Sequence, residues 1–180
     1  YSQAAGAPVF SEVATATWRP VEADRMQQLT ECFDRSLAAC DRAVNERDFY
    51  ASGTANGIEF GPAFQSLAEL RQGSAAAAAS LKVAVENDPR FLLHPVHWDA
   101  CLQTVDLALR DGAEFSALML PTAIDTVVCK RGGLTIHTAS SRIDRRESLG
   151  ESAALVESAV FGLDKRGECL LAIQGAQFME

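Results

Sequence analysis

Within ten residues, from His94 to Gln103, the stretch HPVHWDACLQ gathers two histidines, a carboxylate and an amide at the head of an apolar run. Three chemistries suit such a set. An aspartate at a helix start caps free backbone N–H groups and meets the positive end of the helix dipole. His94, His97 and Asp99 are all donors of the kind that hold zinc. Asp99 and Gln103, four residues apart and so on one helix face, would form an oriented carboxyl able to give or take a proton. The flanking Pro95, Val96 and Trp98 are apolar, and desolvation raises a carboxyl's pKa, while the helix dipole acts in the opposite sense.

The metal reading is the weakest of the three. His94 precedes Pro95, which favours extended backbone there, so the His-x-x-His spacing does not set both imidazoles on one helix face. The remaining histidine, His137, falls in a predicted strand, and no third ligand is at hand. No metal is expected; His94 is expected to be structural and His97 a partly exposed neighbour. Nucleophilic catalysis finds no Gly-x-Ser-x-Gly elbow and no cysteine in an electropositive setting near a histidine. "GTANG" lacks the lysine and the strand–helix context of a phosphate loop.

These residues must be positioned by a single core. The 180 residues are 48% hydrophobic and 22% charged, the make-up of one ordinary globular domain. A net charge of −8 argues against nucleic-acid or anionic-membrane partners. No apolar run nears the roughly 20 residues of a membrane span. Cys32, Cys40, Cys101, Cys129 and Cys169 form no CxxC pair and leave an odd thiol, which points to a reducing, cytoplasmic setting. The chain opens on Tyr1 rather than Met, without a basic segment leading into an apolar core, so it is read as an excised or processed piece with no signal peptide.

Residues 9–18 alternate well enough for one strand, ended by Pro20. From Val21 to Asn45, Met26, Leu29, Phe33, Leu37, Cys40 and Val44 recur at steps of three or four, predicting one amphipathic helix. Residues 51–63, with three glycines and a proline, read as a turn-rich connection, and the Gly-Pro-aromatic turn at 61–64 offers a close backbone approach to a ligand. Alanine's helix propensity favours a helix over "SAAAAAS", but the alternation of Leu81, Val83 and Val85 favours a hairpin turning at Gly73–Ser74. Trp98 to Leu109 predicts a buried helix stopped at Asp111–Gly112. Strands are then expected at about 117–130, 134–143, 153–163 and 169–178, joined by "KRGG" and "LDKRGE" turns. One buried helix among antiparallel strands predicts an α+β fold with the sheet curled around it, a hotdog.

In order along the chain, Tyr50 and Gly57, "FGPAFQ" (60–65), a hairpin, "HPVHWDACLQ", "LPTAID" (120–125) and the strand pair around "LDKRGECLLAIQG" resemble the C-terminal half of the dehydratase domain of modular polyketide synthases. The likeness runs from about Gln28 to Phe178. It implies one half of a double hotdog: residues 1–49 would hold an extended segment and the inter-lobe helix, and residues 50–180 the C-terminal hotdog lobe. It also implies loss of water from a 3-hydroxyacyl thioester carried on the phosphopantetheine of an acyl carrier protein, with no metal or redox cofactor. Asp99 would be the catalytic acid and Gln103 its hydrogen-bond partner, while Tyr50, Phe60, Gly61, Pro62, Phe64, His94, Pro95 and Trp98 would bind substrate.

Two departures matter. Phe60 stands where the family often has Tyr before Gly-Pro. The His-x-x-x-Gly-x-x-x-x-Pro motif of the family's base is absent from these residues, and none of His94, His97 or His137 fits it. The base is therefore expected on an N-terminal lobe outside them, with that lobe or self-association covering the open hotdog face. A non-catalytic scaffold or carrier-docking module, and a cyclase or isomerase reusing the pocket, are the alternatives. The Arg142–Arg146 cluster could meet an acidic carrier protein, although a solvated loop is the plainer reading.

Overall fold

The computed structural model describes residues 16–17, 20, 23–82, 90–110, 119–130, 134–148 and 154–179. In chain order the elements are α1 (Ala23–Ala38), β1 (Arg42–Ala43), α2 (Glu46–Ala55), β2 (Leu67–Gly73), β3 (Ala76–Leu81), α3 (Pro95–Leu109), β4 (Leu120–Cys129), β5 (Thr138–Ser148), β6 (Ala154–Leu163) and β7 (Cys169–Met179). The strands form one seven-stranded sheet in the order β1-β2-β3-β5-β6-β7-β4, every neighbouring pair antiparallel. This is the hotdog arrangement, with α3 as the helix inside the sheet.

α3 buries its flanks in two adjoining clusters. Cys101 and Val105 pack with Ile136, Val160, Leu171 and Ile173; Ala100, Leu107 and Ala108 pack with Phe49, Leu67, Leu70, Ala77 and Ala79. Gly162 permits the close approach, since a Cβ there would lie 2.8 Å from Ile136 Cδ1 and 3.3 Å from Cys101 Sγ. The far half of the helix is also tied to the sheet: Gln72 Nε2 donates to the Leu107 carbonyl at 2.6 Å and Ser141 Oγ to that of Thr104 at 2.7 Å. α1 lies against a third cluster, where Leu29 and Phe33 meet Val128, Phe161, Leu163 and Ala172.

The hairpin forms where expected, with β2 ending at Gly73 and β3 beginning at Ala76. Both sides of β3 are crowded: Ala76 and Ala78 meet Cys40, and Ala77 and Ala79 meet α3. Side chains of one methyl fit between them, and strand pairing overrides alanine's helical preference.

The helix expected over 21–45 ends at Ala38. Cys40 and Val44 fit its spacing but belong to an extended segment, in which the Val44 N–H bonds the Leu70 carbonyl at 2.9 Å. A second helix then starts, its N-cap Asn45 accepting from the Asp48 N–H at 3.2 Å. That helix takes in residues 51–55, expected as loop, and the division after residue 49 falls inside it. Of the strand expected over 9–18 only residues 16–17 are described, and they are not in a strand; the alternation at Val83 and Val85 and the stop at Asp111–Gly112 lie outside the described residues. The last four strands match expectation except for β5: 134–137 stay outside it, with Leu134 bridging Leu93, and it runs on to Ser148, so that Arg142–Arg146, read as a solvated loop, lie in a strand paired with β6.

Candidate active site

α3 begins one turn earlier than its apolar pattern. Pro95 is its first residue, a place suited to a fixed φ and a missing N–H. The N-cap is His94, extended at φ −62° and ψ 137°, whose Nδ1 accepts from the Val96 N–H at 3.2 Å. Asp99 therefore lies in the second turn and is not the cap. Its carboxyl is released for other work.

That carboxyl is half-buried and receives a hydrogen bond from Gln103 Nε2 at 2.5 Å. Gln103 is itself 4% exposed, and its orientation is dictated from both ends. The Leu67 N–H donates to the Tyr50 hydroxyl at 3.0 Å, which leaves that hydroxyl to donate to Gln103 Oε1 at 3.2 Å. The Phe64 carbonyl accepts from Gln103 Nε2 at 2.9 Å. A backbone donor and a backbone acceptor thus set the polarity of the whole relay, and the amide nitrogen must face Asp99.

Burial raises the Asp99 pKa, and the Gln103 hydrogen bond acts against it. The Tyr50 hydroxyl is pushed up to about 12, chiefly by burial, so it stays protonated and remains a donor. The assembly is a desolvated carboxyl held in one orientation, fit to deliver a proton and to be stabilised once it has done so.

The family described as the polyketide synthase dehydratase N-terminal domain matches residues 30–179 of this chain. The chain belongs to the polyketide synthase dehydratase family. It is 36% identical over 95 residues to a phenolphthiocerol/phthiocerol polyketide synthase of Mycobacterium tuberculosis, covering 49% of this chain and 5% of that protein. It is 28% identical over 181 residues to the highly reducing polyketide synthase claI of Penicillium crustosum, covering 94% of this chain and 8% of that one. Among solved structures, the dehydratase domain of a mycocerosic acid synthase-like polyketide synthase aligns with a TM-score of 0.64 at 26% identity, covering 81% of this chain and 52% of that one. The chain thus spans a small fraction of these synthases and about half of a solved dehydratase.

The other predicted site residues of this dehydratase-family chain divide into two groups. Tyr50 and the Phe64 carbonyl bond Gln103, and Phe60 packs on Tyr50. The Phe60 ring sits edge-on to Tyr50 with centroids 5.6 Å apart, and Phe64 lies on a turn whose N–H bonds the Gly61 carbonyl at 2.8 Å. Tyr50, at 7% exposure, meets Gln103 from below and has little surface to offer a ligand. Gly61 and Pro62 stand exposed on that turn, and a Cβ at Gly61 would meet open space. The second group sits at the start of α3: His94 caps the helix, Pro95 is exposed at its tip, and Trp98 packs into the cluster of Cys101 and Ile136.

His97, expected to be partly exposed, is fully buried, with its Nδ1 accepting from the Ile136 N–H at 3.4 Å. The segment 134–137, which leads into β5, meets this side of α3, and helical spacing alone does not reveal it. Cys101 and Cys169 are buried with thiols raised to about 12 and about 11, mainly by burial, and so stay un-ionised. Among the described residues no group of three His, Cys, Asp or Glu side chains gathers, and no helix is long and apolar enough to cross a membrane.

In the arginine cluster, Arg142 Nε pairs with Asp144 at 2.6 Å and Arg145 Nη2 with Glu147 at 2.7 Å. Neighbouring carboxylates compensate most of its charge. Residue types and spacing did not point to the Phe64 carbonyl or the Leu67 N–H. Backbone groups carry no residue-type signal, and only the hairpin's tertiary position brings them to Gln103.

Proposed function

We propose that the chain is the C-terminal lobe of a polyketide synthase dehydratase, with Asp99 as the acid that expels water from a 3-hydroxyacyl thioester on an acyl carrier protein. The observation that carries this is the Asp99 carboxyl, half-buried and held at 2.5 Å by an amide that cannot turn away. A base removes the C2 proton, and the electrons of that bond form the C2=C3 double bond as the C3–O bond breaks. Asp99 protonates the departing oxygen, which leaves as water, and becomes a carboxylate. At that moment the Gln103 N–H bond becomes charge-assisted and strengthens, so it favours the product state of the acid over its resting state. The elimination balances without a metal or redox cofactor.

The base would be a histidine on the N-terminal lobe, outside these residues. Supporting this, His94 Nδ1 and His97 Nδ1 both accept backbone N–H groups, and the chain matches about half of a solved dehydratase. α1 would be the helix that links the lobes. The free thiols of Cys40, Cys101, Cys129 and Cys169 fit a reducing, cytoplasmic setting.

The test is dehydration of a 3-hydroxyacyl carrier-protein surrogate by this chain combined with a histidine-bearing lobe, read as mass loss of one water. Asp99→Asn should cut the rate by about 100- to 10,000-fold, the usual worth of one acid–base group. Full activity in that variant would remove Asp99 as the acid. A product of unchanged mass with a shifted double bond or a new ring would assign the pocket to isomerisation or cyclisation.

A further inference from the structure

Four polar residues, Asp99, Gln103, Asp106 and Arg110, follow one another along α3 at steps of four, three and four, which sets them on one stripe. The dehydration chemistry uses the first two. Asp106 and Arg110 are buried or half-buried and interact electrostatically one turn apart. Arg110 also reaches across to α2. Its guanidinium lies over the Phe49 ring, 4.3 Å from the centroid, and its Nη1 donates to the Phe49 carbonyl at 3.2 Å. Phe49 is almost fully buried and its ring sits edge-on to that of Tyr50, centroids 5.1 Å apart.

α2 is a short helix, and helices of this length depend on tertiary anchors for their position. Side-chain ties join it to α3 at neighbouring residues: Arg110 to Phe49, and Tyr50 to Gln103. The first ties down the residue next to the second. We propose that Arg110 is a positioning residue for the Asp99 carboxyl: its clamp on Phe49 fixes α2 against α3, and so fixes the Tyr50 hydroxyl that keeps the Gln103 amide turned toward Asp99. This rests on the reading of Asp99 as the acid, but its geometry can be tested without turnover.

Arg110→Lys is the informative variant. It keeps a positive charge opposite Asp106 but loses the flat guanidinium that stacks and forks. Gln103 of its own helix bonds Asp99, and the Asp99 carboxylate in turn raises the nearby Tyr50 from α2 and Cys101 and Asp106 from α3. The first measurement is the carbon-13 titration of the Asp99 carboxyl in the whole chain, for Arg110→Lys, Tyr50→Phe and the double variant.

Each single variant should raise the Asp99 midpoint, because the Gln103 N–H favours the carboxylate and is no longer held in place. The double variant should move it no further than the larger single change, the signature of two residues on one path. With the histidine-bearing lobe added, Arg110→Lys should lower kcat about tenfold or more at unchanged KM, the effect of a misplaced reacting group. Phe49→Leu loosens the clamp from its other side and should act likewise if the lysine variant does not fold. An unmoved Asp99 midpoint, or shifts that simply add, would overturn the clamp. Coupled shifts in a chain without dehydratase activity would leave the clamp standing and remove the proposed function. A normal midpoint and kcat in Arg110→Lys, beside a dead Asp99→Asn, would do the reverse.

Discussion

Both sides of α3 pack into apolar clusters, but only one also carries a polar stripe. Toward α2 and β2 runs the stripe of Asp99, Gln103, Asp106 and Arg110, with the Tyr50 hydroxyl bonded into it. Toward β5, β6 and β7 lie Cys101 and Val105, closed over by Ile136, Val160 and Ile173. On the apolar side a residue contributes by volume, and its neighbours need only be the right shape. On the polar side it contributes by direction, since each donor must find its acceptor or leave a buried group unsatisfied. One helix thus divides its labour: both flanks hold the lobe together by apolar packing, and one of them also holds a carboxyl in place.

That contrast can be broken most forcefully at Ile136, which is fully buried. Ile136→Ala should cost about 2–5 kcal/mol in chemical denaturation, the range for large-to-small core changes. The folded fraction should keep the Asp99 titration of the parent. A shifted midpoint would mean that the two flanks are not separable.

Next comes pH. Asp106 titrates in the folded lobe at about 6 against an ordinary value of 3.8, burial outweighing the opposing pull of Arg110. Its folded pKa is raised, so the native state holds the proton more tightly. The stability it contributes is complete below about pH 4 and is lost as pH climbs toward and through 6. Asp99, also raised, adds to the same slope. Denaturation from pH 4 to 7 should show the decline. Asp106→Asn should flatten it, gaining on the parent by up to about 3 kcal/mol at pH 7 and by nothing near pH 3. An equal slope in both proteins would show that Asp106 is not the group responsible.

The smallest effect is expected at Thr104, a buried hydroxyl that bonds the Cys101 carbonyl of its own helix at 2.7 Å. Thr104→Val keeps its shape and removes one local bond, a loss of about 1 kcal/mol. Dehydration by the completed enzyme should be untouched, as expected if polarity matters on one flank alone. A drop in kcat would extend the functional network through the helix.

Hydrophobic pattern made much of this legible. The hairpin at Gly73–Ser74, the buried helix and the last four strands follow from periodicity and turn chemistry, because local spacing decides which face an apolar residue presents. Asp99 with Gln103 is equally local: a four-residue step on a helix places them together before any tertiary contact forms. The start of α2 at Asn45 was legible in principle, with Glu46 and Asp48 in its first turn, but the helical spacing of Cys40 and Val44 masked it.

What the sequence determined by itself is therefore the oriented carboxyl–amide pair and the elements that bear it. Tertiary structure decided everything that makes the pair directional. His94, not Asp99, caps the helix because Pro95 takes the first position and the chain enters extended. His97 is buried, with the Ile136 N–H of the segment leading into β5 bonded to its ring. Gln103 points its nitrogen at Asp99 because the Leu67 N–H and the Phe64 carbonyl, both far away in sequence, close the relay from its two ends. Backbone donors and acceptors are the same at every non-proline residue, so composition and spacing cannot say which of them will meet. Only the folded path of the hairpin chooses.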